Sequence, residues 1–114
     1  MPSHHTVDYF EIPVIEIAGA KAFYSAAFGW SFTDYGADYA EINGAGLAGG
    51  LRLVTSPPSI GGPLVILYSD DLALSERAVT AAGATIVARD EFPGGKRFHF
   101  VDPSGCELAV WTKV

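Results

Sequence analysis

One cysteine, one methionine and three histidines are the whole soft or imidazole inventory of this 114-residue chain. The lone thiol, Cys106, excludes an internal disulfide and fits a reducing compartment, so a cytoplasmic location is expected. Basic charge is also scarce. Seven Lys and Arg face 13 Asp and Glu, for a net charge of −6. The basic residues are scattered without a run, so no surface is set up to neutralise phosphates, and neither nucleic acid nor an acidic membrane is expected as a partner. Long apolar runs are missing too. The longest, Leu64 to Tyr68, falls far short of the roughly 20 residues that span a bilayer. The run Met1-Pro2-Ser3-His4-His5 has neither a basic nor an apolar region before Asp8 and does not read as a signal peptide.

What is present suffices for one core. At 49% hydrophobic content, 114 residues fill a single domain of ordinary size but not two. Val7 to Val14 alternates, with Phe10, Ile12 and Val14 on one side and Val7, Tyr9, Glu11 and Pro13 on the other, as a strand with one apolar face does. The spacing predicts a helix over Ala18 to Phe28, with Ala22, Phe23, Ala26 and Ala27 as its apolar stripe and Gly29 as a left-handed cap. Trp30 to Thr33 restarts an extended segment.

The second half repeats this grammar. Leu64 to Tyr68 reads as a strand, Asp70-Asp71 as N-cap candidates, Leu72 to Ala82 as a helix, Gly83 as its cap and Thr85 to Ala88 as the next strand. Adding 54 to each position superposes Ile12 on Ile66, Ala27 on Ala81 and Gly29 on Gly83, the mark of an internal duplication. Tyr39 to Asn43 and Gly50 to Thr55 form a β pair around Gly44-Ala45-Gly46. Lys96 to Val101 and Leu108 to Thr112 form another around Asp102-Pro103-Ser104-Gly105. Each half is thus one strand, one helix and three strands. The expected boundaries within a single domain of residues 1–114 are a first repeat over about 7–55, a Pro/Gly linker over about 56–63 and a second repeat over about 64–113.

This layout, with Phe10-Glu11-Ile12-Pro13-Val14, Ala22-Phe23-Tyr24, Phe28-Gly29-Trp30 and Asp102-Pro103-Ser104-Gly105 in that order, resembles the vicinal-oxygen-chelate superfamily of glyoxalases, bleomycin-resistance proteins and dioxygenases across nearly the whole chain. The resemblance implies an α+β fold of two tandem βαβββ modules, their curved mixed sheets around a cavity and their helices outside, commonly as a homodimer. In metal-dependent members, four side chains from the concave face hold a divalent metal. Those four positions fall here on Tyr9, on or near Arg52, on Leu64 and on Ala109. Leu64 and Ala109 cannot ligate, and an Arg repels a cation. His4, His5 and His99 lack ligand spacing of their own. No metal and no other cofactor is therefore expected.

The faces turned away from the helices would carry Tyr9 and Glu11, then Leu64, Ile66 and Tyr68, then Ala109 and Trp111. Such an aromatic lining suits a planar or amphipathic small molecule. Tyr9, Glu11, Arg52, Tyr68 and Trp111 are the candidate ligand-binding residues. Arg52 would anchor a ligand carboxylate or pair with Glu11 or Glu41. Glu11, a carboxylate beside Tyr9, and His99, set opposite Phe98 and Phe100 in its strand, are the candidate catalytic bases. His99 would line the cavity or stand exposed. Trp30 and Trp111 would serve as core or dimer contacts or as stacking platforms, and exposed aromatics around Trp30 would favour the dimer. Cys106 has no neighbouring His in sequence to activate it as a nucleophile.

Two functions follow as expectations. The first is metal-independent binding or sequestration of a small molecule by a homodimer, as the bleomycin-resistance branch implies. The alternative is metal-free or metal-dependent lyase, isomerase or dioxygenase-type chemistry in the same cavity, so the sequence leaves open whether the protein is an enzyme.

Overall fold

The computed structural model describes residues 2–114. Met1, the first residue of the run read as no signal peptide, lies outside them. The chain runs β1 (Tyr9–Val14), α1 (Ile17–Phe28), β2 (Ser31–Asp34), β3 (Tyr39–Asn43), β4 (Ala48–Leu53), β5 (Val65–Tyr68), α2 (Leu72–Ala82), β6 (Thr85–Phe92), β7 (Gly95–Val101) and β8 (Glu107–Lys113). It forms two four-stranded mixed sheets, β1-β4-β3-β2 and β5-β8-β7-β6, which do not close into a barrel. In each sheet the first and last strands of the module pair in parallel and the others antiparallel. The α+β architecture of two βαβββ modules is thus present. The offset of 54 aligns the helix-closing Gly29 and Gly83 but not the strands around them: Ile12 is in the core while Ile66 is exposed on the helix-free face, a one-residue shift of strand parity, and β6 runs on past Ala88 to Phe92.

Local chemistry explains the helix ends. Glu16 caps α1 by accepting from the Gly19 N–H at 3.2 Å, and Asp71 caps α2 by accepting from the Leu74 N–H at 3.1 Å. Each occupies one donor that the first helical turn leaves unpaired. Gly29 and Gly83 close the helices at φ 74° and 115°, a backbone region that side chains disfavour.

The core-facing stripe of α1 is Ala20, Phe23 and Tyr24; Ala22 and Ala26 face outward, contrary to the spacing-based reading. Five alanines gave the sequence pattern little bulk with which to fix the phase of the helix. Tyr24 stacks on Trp30 at 5.1 Å and 10°. Phe23 and Phe28 reach Phe100 of the second module, with ring centroids 6.1 and 6.0 Å apart. Trp30 is only 5% exposed, which withdraws the argument for a dimer from exposed aromatics around it. One aromatic cluster therefore spans both modules. Each fully buried large apolar side chain in it contributes roughly 1.5–3 kcal/mol from area removed from water.

Candidate functional site

Period-two alternation divides each sheet into a face covered by the helices and a face free of them. On the first sheet, Ile12, Val14, Ala40, Ile42 and Leu51 point to the core. The register Glu11↔Gly50↔Glu41 and Pro13↔Arg52↔Tyr39 puts Tyr9, Glu11, Arg52, Tyr39 and Glu41 on the other face.

Four of these form one polar chain. The Tyr9 and Tyr39 hydroxyls lie 2.6 Å apart, the Tyr39 hydroxyl donates to Glu11 Oε2 at 2.8 Å, and Arg52 Nε lies 3.3 Å from Glu11 Oε1. Of the two roles open to Arg52, the observed one is pairing with Glu11. Both carboxylate oxygens of Glu11 are engaged, which leaves it poorly placed to abstract a proton. Desolvation, then the hydrogen bonds to Tyr9 and Glu11, push the Tyr39 phenol above its ordinary pKa. Gly50 makes this possible, since a Cβ there would collide with the Tyr39 phenol. Sequence reasoning missed Tyr39. The available signal was a Tyr in β3 facing a glycine in β4, which becomes visible only once the strand register is known.

On the second sheet, the registers Ile66↔Ala109↔His99 and Tyr68↔Trp111↔Arg97 place Ile66, Tyr68, Ala109, Trp111, His99 and Arg97 on the helix-free face. Tyr68 meets Trp111 edge to face at 5.1 Å. Ile66, Phe92, Arg97 and Trp111 line a depression of about 320 Å³.

His99 is 9% exposed, neither an open cavity wall nor an exposed strand residue. Its Nδ1 lies 2.8 Å from Glu107 Oε2, and its buried Nε2 has no hydrogen-bond partner, with Asp90 Oδ2 3.6 Å away. In the neutral ring, a carboxylate at Nδ1 favours the tautomer with its proton on that nitrogen. The carboxylate orients the imidazole as in a general base, but a substrate would reach Nε2 only after the wall that buries it moves aside.

The structure thus brings Tyr9, Glu11 and Arg52 together on one sheet, and Tyr68 and Trp111 together on the other. A cleft of about 620 Å³ is lined by Phe10 of β1, Trp30 and Leu47 of the first module and by Val65 and Tyr68 of β5. Behind β1, Glu11 and Leu64 line a smaller hollow of about 370 Å³ against the linker.

The four positions that the resemblance assigns to metal ligands do not fit a divalent ion. Tyr9 is bound to Tyr39, Arg52 brings a positive charge, and Leu64 and Ala109 have no donor atom. Among the described residues no group of three His, Cys, Asp or Glu is placed to hold a metal. Burial, then the charges of Asp102 and Glu107, push the Cys106 thiol up to about 11, so it is not an activated nucleophile. Among the described residues no helix is long and apolar enough to cross a membrane.

Comparisons with known proteins bear on the family and the fold. Residues 6–110 match the family model described as Glyoxalase/Bleomycin resistance protein/Dioxygenase superfamily. A comparison with curated protein sequences finds no match. Among solved structures, a glyoxalase-related enzyme from Fulvimarina pelagi superposes with TM-score 0.80 at 16% identity, covering 96% of this chain and 88% of that one. A genomically encoded fosfomycin resistance protein from Listeria monocytogenes gives 0.82 at 14%, covering 100% and 96%. A lactoylglutathione lyase from Agrobacterium tumefaciens gives 0.74 at 15%, covering 95% and 93%. At such identities the likeness speaks for the fold alone.

Proposed function

The chain belongs to the Glyoxalase/Bleomycin resistance protein/Dioxygenase superfamily, and on that premise we propose that it binds a planar or amphipathic small molecule on its helix-free sheet faces, without a metal and as a cytoplasmic homodimer. The reading takes residues 1–114 as one domain, with modules over about 7–55 and 64–113.

The observation that carries it is the substitution of the metal-ligand positions by a ligand-friendly polar chain. Arg52 offers guanidinium N–H donors and Tyr9 a phenol oxygen able to accept on one sheet, oriented by Tyr39 and Glu11. Tyr68 and Trp111 offer aromatic area on the other. Such a combination of apolar surface and a few placed polar groups is what small-molecule sites require. A homodimer can bring the first sheet of one copy opposite the second sheet of the other, which would join the two sets. The Listeria relative's name marks fosfomycin resistance, a role compatible with a small-molecule site in this fold.

The test is a thermal-shift screen of planar amphipathic compounds against tag-free protein freed of metal by chelation, followed by mass spectrometry of the compound recovered. The expected result is saturable stabilisation, weakened by Trp111→Ala and by Glu11→Gln, with the compound unchanged. Repeated turnover of the bound compound would sink sequestration.

A second reading, metal-free enzymatic chemistry, is favoured by one specific observation, the Glu107–His99 pair with its free Nε2. In that reading His99 is the base, and Glu11, engaged on both oxygens, positions Tyr39. Loss of turnover in His99→Ala, with retained turnover in Glu11→Gln, is its expected signature.

A further inference from the structure

Four of the chain's seven basic residues, Arg77, Arg89, Lys96 and Arg97, line one pocket of about 510 Å³ between α2 and the β6–β7 hairpin. We propose that this pocket is a separate binding site for a small organic anion with an apolar body, independent of the helix-free faces. In a protein of net charge −6, such a gathering of cations is against the average field of the surface.

The acids that also line the pocket do not neutralise it evenly. Glu76 is held bidentately by Arg89, at 3.0 and 2.7 Å, which draws the Glu76 carboxyl below its ordinary range. These two cancel as a pair. Asp90 is shared, 3.9 Å from Arg97 Nε and 3.6 Å from His99 Nε2, too far for a hydrogen bond to either. Arg97 borders the pocket, but its register with Trp111 turns its side chain to the helix-free face, so its guanidinium is not one of the pocket's free cations. Arg77 and Lys96 make no ion pair among the described residues, and both are exposed. Glu91 is the remaining carboxylate, opposite Lys96 in the hairpin register. Two unpaired cations, Arg77 and Lys96, therefore border the pocket, whose walls also include Leu72 and Phe98.

The apolar walls select a body of aromatic or aliphatic rings, and the guanidinium of Arg77 selects carboxylate or phosphate oxygens, which it can grip in pairs. The pocket volume is within the roughly 300–1,000 Å³ of small-molecule sites. Because the cations are exposed, binding must weaken with salt.

The experiment is an NMR titration of the ¹⁵N-labelled full chain with 1-naphthyl phosphate and with 1-naphthoate, using 1-naphthalenemethanol as the neutral control. Saturable shifts over residues 72–77 and 89–98 with either anion, absent with the alcohol, are the expected result. The Arg77→Ala/Lys96→Ala variant should weaken that binding roughly tenfold or more and leave the dispersed spectrum of the fold unchanged, whereas Trp111→Ala should not affect it. No saturable shift with either anion, equal shifts with the alcohol, or full affinity in the double variant would overturn the proposal. Shifts confined to Tyr9, Tyr39, Tyr68 and Trp111 would also overturn it, while leaving the site on the helix-free faces standing.

Discussion

The Tyr24 hydroxyl donates to Asp102 Oδ2 at 2.6 Å, joining the helix of the first module to the last turn of the second, 78 positions away. Asp102 Oδ1 meanwhile accepts from the N–H groups of Ser104, Gly105 and Cys106 at 2.9 to 3.0 Å. Both residues are buried. Tyr24→Phe should therefore cost about 1–3 kcal/mol, and Asp102→Ala more, because it strips partners from a buried hydroxyl and three amides. Urea unfolding midpoints measure both. Equal midpoints for wild type and Tyr24→Phe would show that the bond adds nothing.

The same bond has a pH signature. Burial, then the charge and hydrogen bond of Asp102, raise the Tyr24 phenol well above its ordinary 10.0 in the folded state. The unfolded chain then loses this proton first. Stability from this group is complete below about pH 10 and declines as pH rises beyond it. Tyr24→Phe removes that contribution, so its stability should fall less steeply on the alkaline side. Denaturant melts across the alkaline range would reveal parallel slopes if this is wrong.

Gly50→Ala tests the polar chain on the first sheet. The added methyl collides with the Tyr39 phenol, which can swing away because it lies on the helix-free face. The expected outcome is a small loss of stability, up to about 1 kcal/mol, with a disconnected Tyr39. Its phenol, raised in the wild type by desolvation and by Tyr9 and Glu11, should then titrate closer to the ordinary value. Ultraviolet titration of tyrosinate counts it. An unchanged titration curve would mean that Tyr39 is not held as described.

Much of this was legible in the sequence because the signals were local. Glycine at 29 and 83, the caps of α2 and the period-two faces of β1, β5 and β8 each depend on residues a few positions apart, and the structure places them accordingly. The polar chain was legible only in part. Tyr9, Glu11 and Arg52 follow from strand parity, but Tyr39 needs the β3–β4 register and the bare backbone of Gly50, which no local pattern encodes. Asp102 read as a turn residue, and it is one. Its second role depends on Tyr24, far away in sequence. The strand expected over Thr85 to Ala88 stopped short of the polar run from Arg89 to Glu91. That run is strand because β7 pairs with it residue by residue through Gly95.

Cys106 should be slow to alkylate. With its thiol at about 11 rather than the ordinary 9.0, the thiolate fraction at neutral pH is about a hundredfold lower than in the unfolded chain. Iodoacetamide rates in the native and urea-unfolded protein should differ by at least that factor, since half-burial adds a steric barrier. Comparable rates would place Cys106 in a more open environment. The shift also contributes stability that is present below about pH 9 and is lost towards pH 11, adding to the alkaline decline expected from Tyr24.

Metal removal separates this chain's chemistry from that of metal-bearing relatives. Tyr9 and Tyr39 occupy each other's hydroxyls, Arg52 carries a positive charge beside them, and Ala109 is fully buried with no donor atom. An ion entering that face would have to displace a guanidinium and would find too few oxygens or nitrogens to replace its water. Chelation should thus leave the melting temperature unchanged, and elemental analysis should find no stoichiometric metal after re-addition of zinc, nickel, manganese or iron. His4 and His5 need a control, because their rings stack at 3.7 Å on an exposed segment and adjacent imidazoles can hold nickel or zinc loosely. The His4→Ala/His5→Ala variant removes that source. Stoichiometric metal that persists in this variant and raises its melting temperature would show that the helix-free faces rearrange to ligate, and would direct attention to metal-assisted chemistry at Glu11 and Tyr39. Metal lost with the two histidines would instead belong to the terminus and carry no function.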